Sequence, residues 1–390
     1  MDALLIIPYL HFQPAKPSTF SILQLNMGFT KLALTGYKNY QSQTFHFTER
    51  IVGICGLNGK GKTNLLDAIN YLCFTKSYFS KSDVLNVHFG SEGFRLEGEL
   101  QNGTNGNVDV QKIVCIYRSS LKKEFYLNDI AYEKFSHHIG KFPCVVIAPD
   151  DIEMITGGSE ERRKFMDTLI SQVDPEYLQY LIVYNKVLAQ RNSFLKNEFT
   201  KNTFNQGLLE VFDEQLLKPG IYIHKIRNEF SKQLFPVVQE FYRNISGNNE
   251  VVSIEYNSQL NENKFAELLT LSLHKDRLTQ RTNVGIHKDD LSFFLYENIF
   301  KTIASQGQRK SLLFACKLAE FEILKKVKGY PPFLLLDDVF EKLDEKRMEN
   351  LLKYVCQKNN GQIFITDTHF DRLQAALSQF GNVVQIIELG

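Results

Sequence analysis

The stretch GICGLNGKGKTNLL, residues 53–66, contains the spacing G-x-x-x-x-G-K-[ST] from Gly56 to Thr63. Glycines at those positions let backbone N–H groups wrap phosphate oxygens at the start of a helix. Gly56, Leu57, Asn58, Gly59, Lys60 and Gly61 therefore form the candidate cradle, Lys62 reaches the β and γ phosphates, and the Thr63 hydroxyl holds Mg²⁺. RIVGICG before the loop reads as a strand and TNLLDAINYLCF after it as a helix, with Leu65, Ala68, Ile69 and Leu72 on one face. The expected ligand is ATP with Mg²⁺.

A phosphate loop of this kind needs an acidic partner, and none stands near it in sequence. The partner comes far downstream. FLLL, residues 333–336, reads as a buried strand whose end delivers Asp337 to the loop as a second oxygen donor for Mg²⁺. Asp338 follows as the candidate that orients the attacking water, with Lys62 as the other catalytic candidate; the alternative is that Asp338 caps a turn. Asp is shorter than Glu by one methylene, so slow hydrolysis is expected. An α/β head split into two sequence segments around an insertion accounts for the gap.

ASQGQRKSLLFACKLAEFEIL precedes that strand. Ser305 suits a helix cap, and with Gly307 and the first-turn amides it forms a second anion-binding terminus. Since one phosphate loop already exists, a second is most useful closing over the nucleotide of another subunit.

The length of 390 residues predicts two or three domains, and 43% apolar content supplies their cores. We divide the chain into a weakly ordered extension (1–26), an N-terminal head segment (27–150), a mostly helical arm (151–280) and a C-terminal head segment (281–390). In the arm, Tyr177, Leu181, Tyr184, Leu188 and Leu195 keep helical spacing, and a second helical stretch from about Leu208 to Tyr242 is expected to break at Pro219-Gly220. The start has a short apolar run but no basic leader and no span of ~20 apolar residues, so neither a signal peptide nor a membrane helix is expected. Six cysteines without a C-x-x-C pair fit buried thiols in a reducing cytoplasm. The 45 Lys and Arg balance 44 Asp and Glu, so any attraction to nucleic acid must come from local clusters.

Taken together, LTGYKNY, GLNGKGKTNLLDAI, APDDIEMITGGSEERRKFMD, YNKVLAQRN, RTNVGIHKDDL, SQGQRKSLLFACKLAE and LLLDDVFEKLD resemble the RecF family of ABC-type ATPase heads, related to the SMC and Rad50 heads. The resemblance extends over nearly all of residues 27–390. It implies an ABC-type P-loop head with an inserted helical arm, Lys38 and Asn39 near the nucleotide, and Ser305, Gly307 and Gln308 as a signature acting across an ATP-bound homodimer, with Asp344 in the loop that follows. It also implies binding of DNA at single-strand to double-strand junctions or gapped duplex, weak DNA-stimulated ATP hydrolysis, and work with RecO and RecR in loading the RecA recombinase.

Lys38 stands where the family usually has Arg, and Ile286 and Lys288 where Pro and Arg are common. The switch position is open between Asp367 and His369. For DNA contacts the choice among local basic runs falls on Arg162 and Arg163, against ordinary solvated faces. Another SMC- or Rad50-like chromosomal ATPase is the alternative, and the nucleotide subunit of a transporter a more distant one. A GTPase is disfavoured, because NKVL at Asn185 lacks the Asp of a guanine-reading motif.

Overall fold

The computed structural model describes residues 26–104, 107–120, 122–201, 205–247, 250–341, 345–357 and 359–390. The extension, apart from residue 26, and Asp344 lie outside them.

The first strands are β1 (Asn26–Tyr37), β2 (Tyr40–His46) and β3 (Ile51–Cys55), and the phosphate loop leads from β3 into α1 (Lys62–Phe74). A meander follows: β4 (Gly93–Thr104), β5 (Asn107–Arg118), β6 (Lys122–Leu127) and β7 (Ile130–Ala131), then β8 (Cys144–Ile147). Helices take over with α2 (Glu153–Thr156), α3 (Ser159–Val173), α4 (Pro175–Lys201) and α5 (Gln206–Ser246). Next come β9 (Val252–Asn257), α6 (Phe265–Thr279), β10 (Asp290–Leu295), β11 (Asn298–Ile299), α7 (Phe300–Ile303) and α8 (Gln306–Lys328). The chain closes with β12 (Phe333–Leu336), α9 (Glu345–Leu352), β13 (Ile363–Asp367), α10 (Phe370–Ser378) and β14 (Val384–Glu388).

A parallel sheet in the order β14-β3-β13-β12-β8 is the centre of the head. Every residue of β3, β8, β12 and β13 is buried, as expected for strands covered on both faces. Alternate residues feed two cores. Val52 and Ile54 pack with α1 and with the antiparallel sheet β2-β1-β4-β5-β6-β7, while Ile51 and Cys55 join the core of α8 and α10. The loops that follow β3, β12 and β13 thus emerge at one edge, the carboxyl end of a parallel sheet, where such folds place their ligands. All six cysteines are buried and free, and no helix among the described residues is long and apolar enough to cross a membrane.

One expectation needs correction. Helix α5 runs through Pro219 without a break, and through Pro236 as well. A proline inside a helix costs about 3 kcal/mol, but here α5 is clamped from both sides: a Cβ at Gly220 would stand 2.5 Å from the Phe265 ring of α6 and 3.3 Å from the Tyr184 ring of α4. Residue 280 lies between two paired strands. β9 pairs antiparallel with β10 from Val252–Leu295 to Asn257–Asp290.

Candidate nucleotide site

The loop after β3 turns sharply enough to need glycine. Gly61 has φ +104°, and a Cβ there would lie 2.5 Å from the Asn39 amide nitrogen and 2.7 Å from the Tyr40 hydroxyl. Those two side chains brace the loop from outside: Tyr40 donates to the Gly61 carbonyl at 3.0 Å and Asn39 to the Lys60 carbonyl at 3.2 Å. Asn39 in turn accepts from Asn64 at 2.7 Å. The Lys62 ammonium folds across the loop onto the carbonyls of Gly56 (2.7 Å) and Leu57 (3.3 Å). No side chain caps the N-terminus of α1 and no acid sits in its first turn, so its free N–H groups and dipole suit an anion.

Asp337 meets this loop. The Thr63 hydroxyl lies 3.1 and 2.9 Å from its two carboxylate oxygens, across 274 residues of sequence. Strand register explains the meeting: β12 and β3 flank β13 in parallel, and the Asp337 N–H continues the ladder by donating to Ile147 at 2.8 Å. Burial pushes the Asp337 carboxyl above the usual range, and hydrogen bonds from Thr366 and Thr63 oppose that shift. A hydroxyl and a carboxylate side by side are hard oxygen donors of the kind Mg²⁺ takes. Thr366, which carries no motif signal, is the structural link: it donates to Asp337 at 2.8 Å and accepts from the Asp338 N–H at 2.9 Å. Asp338 itself has φ +44°, a left-handed conformation that costs a non-glycine residue about 1–2 kcal/mol.

Lys38 is aimed elsewhere. Its ammonium pairs with Asp67 of α1 at 2.5 Å, and Asp67, fully buried, also accepts from Tyr37, Ser77 and the Tyr78 N–H. A buried carboxylate needs that countercharge.

Ser305, Gly307 and Gln308 begin α8 but make no hydrogen bond to the phosphate loop among the described residues. Ser305 and Gln308 form a reciprocal capping box at 3.2 and 2.7 Å, and the Gln308 amide donates to Glu250 at 2.9 Å. Gly307 is approached closely by Arg347, whose nitrogen would stand 2.6 Å from an added Cβ. His369 is exposed at the start of α10, whereas Asp367 is buried and held by Arg372 at 2.6 and 2.7 Å.

Of the two arginines chosen for DNA, Arg162 is an internal brace and not a surface cation. Its side chain is 7% exposed, grips Asp290 at 2.6 and 3.0 Å and donates to the Gly157 carbonyl at 2.9 Å. Arg163 is half-buried and donates to the Asp289 carbonyl at 2.7 Å. The basic spacing alone could not separate the two, because only the register of α3 against β10 decides which one turns inward.

The model of the RecF/RecN/SMC N terminal domain matches residues 29–386. A protein of Flavobacterium johnsoniae, described as DNA replication and repair protein RecF, is 43% identical over 363 residues, which cover 93% of this chain and 100% of the relative. Its counterpart in Bacteroides thetaiotaomicron is 39% identical over 361 residues, 92% of this chain and 96% of its own. Among solved structures, the recombination mediator protein RecF with ATP, of the RecFOR pathway, superposes with TM-score 0.80 at 33% identity over 88% of this chain and 92% of its own. The SMC head from Pyrococcus furiosus shares the fold at TM-score 0.52 and 16% identity, over 90% and 92% of the two chains. With the split head, its phosphate loop and a match along almost its whole length, the chain belongs to the RecF family of the RecF/RecN/SMC ATPases.

Proposed function

We propose that this chain is an ATP-switched DNA-binding protein of replication and recombinational repair, acting in a RecFOR-type pathway. The contact of Thr63 with Asp337 beside the phosphate loop carries the reading, because it assembles two oxygen donors where a triphosphate and its cation need them. The loop amides and the α1 terminus take the phosphates, and Lys62 exchanges its two loop carbonyls for phosphate oxygens. Mg²⁺ on Thr63 and Asp337 would neutralise charge on those oxygens. Asp338, fixed by its own N–H on Thr366, orients water.

In this reading ATP joins two copies, with the α8 terminus of one, Ser305, Gly307 and Gln308, facing the phosphates held by the other. DNA at gaps or strand junctions is the substrate on which the dimer acts, RecO and RecR are its partners, and RecA is the recombinase it helps to load. Weak, DNA-stimulated hydrolysis to ADP and phosphate resets the switch, and a cytoplasmic location follows from that role.

The test is light scattering on Asp338→Asn with ATP. The expected mass doubles, and Ser305→Arg abolishes the doubling. A monomer under saturating ATP, with and without DNA, rejects the trans signature.

A further inference from the structure

Although the whole chain carries a net charge of only +1, one cleft concentrates cations. It lies between the 75–83 loop, β6, α3 and α8, has a volume of about 690 Å³, and its walls bring five lysines against two acids, Asp83 and Glu320. A second cleft of about 480 Å³ continues it, sharing Phe74, Lys76, Lys164 and Thr168 and adding Arg163 together with the acids Glu160 and Asp167.

Some of these cations are spoken for. Lys123 is tied to Asp83 at 2.8 Å and to the Thr75 carbonyl at 3.0 Å, and Lys317 to Glu320 at 3.4 Å. Lys76 and Lys81 have no carboxylate partner among the described residues, and the pair of Lys164 with Glu161, at 3.4 Å and largely exposed, is a weak one. The Lys76 ammonium is held below the ordinary lysine value, by desolvation first and then by repulsion from Lys164 and Lys123. With Asp83 and Glu320 engaged by Lys123 and Lys317, the excess of lysines in the cleft favours an anion.

Aromatic rings interleave the lysines. Tyr78 and Phe79, both half-buried, meet edge to face with centroids 5.2 Å apart, and Lys164 lies 5.8 Å from the Tyr78 ring. The same loop runs on to Leu85 and to Phe89, which is 98% exposed. Basic grooves with ring faces are the chemistry of unpaired nucleic acid, in which phosphates meet cations and bases stack. The volume points the same way, since clefts of ~300–1,000 Å³ enclose single small ligands, not a double helix.

We propose that this cleft binds a single-stranded DNA segment, with Lys76, Lys81 and Lys164 on phosphates and the Tyr78–Phe79 corner against a base; the assignment rests on the DNA-binding reading above. The Tyr78 hydroxyl also donates to Asp151, which accepts from the Ala148 N–H at 2.8 Å, just beyond the β8 strand that pairs with β12. A strand seated in the cleft is therefore linked, through Tyr78, Asp151 and β8, to the strand that leads to Asp337.

The test measures fluorescence anisotropy of labelled oligo(dT) and of a blunt duplex, with ATP, across about 50–200 mM salt. Lys76→Ala/Lys81→Ala is expected to bind oligo(dT) roughly tenfold more weakly and to flatten the log–log salt slope by about 1.4, two phosphates at ~0.7 each. Phe79→Leu, which keeps an apolar side chain in place, weakens oligo(dT) without changing the slope, and Lys264→Ala, at the N-cap of α6 and in the lining of neither cleft, changes neither. Unaltered affinity and slope in the double lysine variant, while wild type binds both DNAs, overturn the cleft and leave the DNA-binding reading standing. An equal loss for the blunt duplex overturns the single-strand assignment. Wild-type protein that binds neither DNA overturns both.

Discussion

Thr366 holds Asp337 through a 2.8 Å hydrogen bond between neighbouring parallel strands, while its oxygen takes the N–H of the strained Asp338. One hydroxyl thus sets the direction of the metal-binding candidate and the backbone of the water-orienting candidate. Replacing it by Thr366→Val is expected to lower ATP turnover about 10–100-fold and to raise the Mg²⁺ requirement, as loss of an outer-shell partner does elsewhere. Thr366→Ser restores both. Steady-state kinetics with a Mg²⁺ titration decide it, and a Val variant with unchanged kcat removes Thr366 from the account.

The buried Asp337 carboxyl gives a pH dependence. Its pKa is raised by burial, so protonation begins at a higher pH than for an ordinary aspartate, and the protonated form is a poor cation ligand. Mg²⁺ affinity is therefore expected to fall with decreasing pH, with a midpoint above the usual carboxylate range. Calorimetric titration of Mg²⁺ with ATP present checks this, and Asp337→Asn should bind weakly at every pH. A wild-type affinity that holds constant down to about pH 4 contradicts it.

Acid stability depends on two histidines, the buried His138 and the half-buried His287. His138, bonded to the Leu72 carbonyl at 2.7 Å, and His287, bonded to Thr282 at 3.0 Å, are both pushed down to about 4 by burial. The unfolded chain protonates near pH 6.5, the folded chain only near 4, so stability is full above about 6.5 and lost as pH falls between those values. Each contributes roughly 3 kcal/mol at neutral pH relative to strong acid. Melting curves should drop steeply below about pH 6, and His287→Gln should flatten the drop.

Gly307→Ala separates a structural from an intermolecular role for the start of α8. The clash is with the end of the Arg347 side chain, which can move, so the melting temperature should shift by only a few degrees. ATP-induced dimerisation should nevertheless weaken, because Arg347 and the new methyl crowd the terminus. A variant that dimerises as wild type does places Gly307 outside the interface.

Much of this architecture is written locally. The phosphate loop carries its own glycines, FLLL announces a strand buried on both faces, and the S-x-x-Q of Ser305 and Gln308 is a capping pattern legible without coordinates. What could not be read depends on register between distant segments. Arg162 and Arg163 are adjacent and chemically alike, and only packing of α3 on β10 turns one inward to Asp290. Pro219 reads as a break until Phe265 and Tyr184 are seen clamping Gly220. Thr366 carries no signal of its own, being one small polar residue in a buried strand.

The order of the central sheet also bears on how the protein is made. Strand β3, which leads into the phosphate loop, has both of its edges covered by late arrivals, β13 from Ile363 and β14 up to Glu388. During synthesis at about 5–20 residues per second, β3 waits with unpaired edges until β13 and β14 have been made. A product that ends before Ile363 therefore has no finished phosphate site, and such fragments cannot compete for nucleotide with chains that carry β13 and β14.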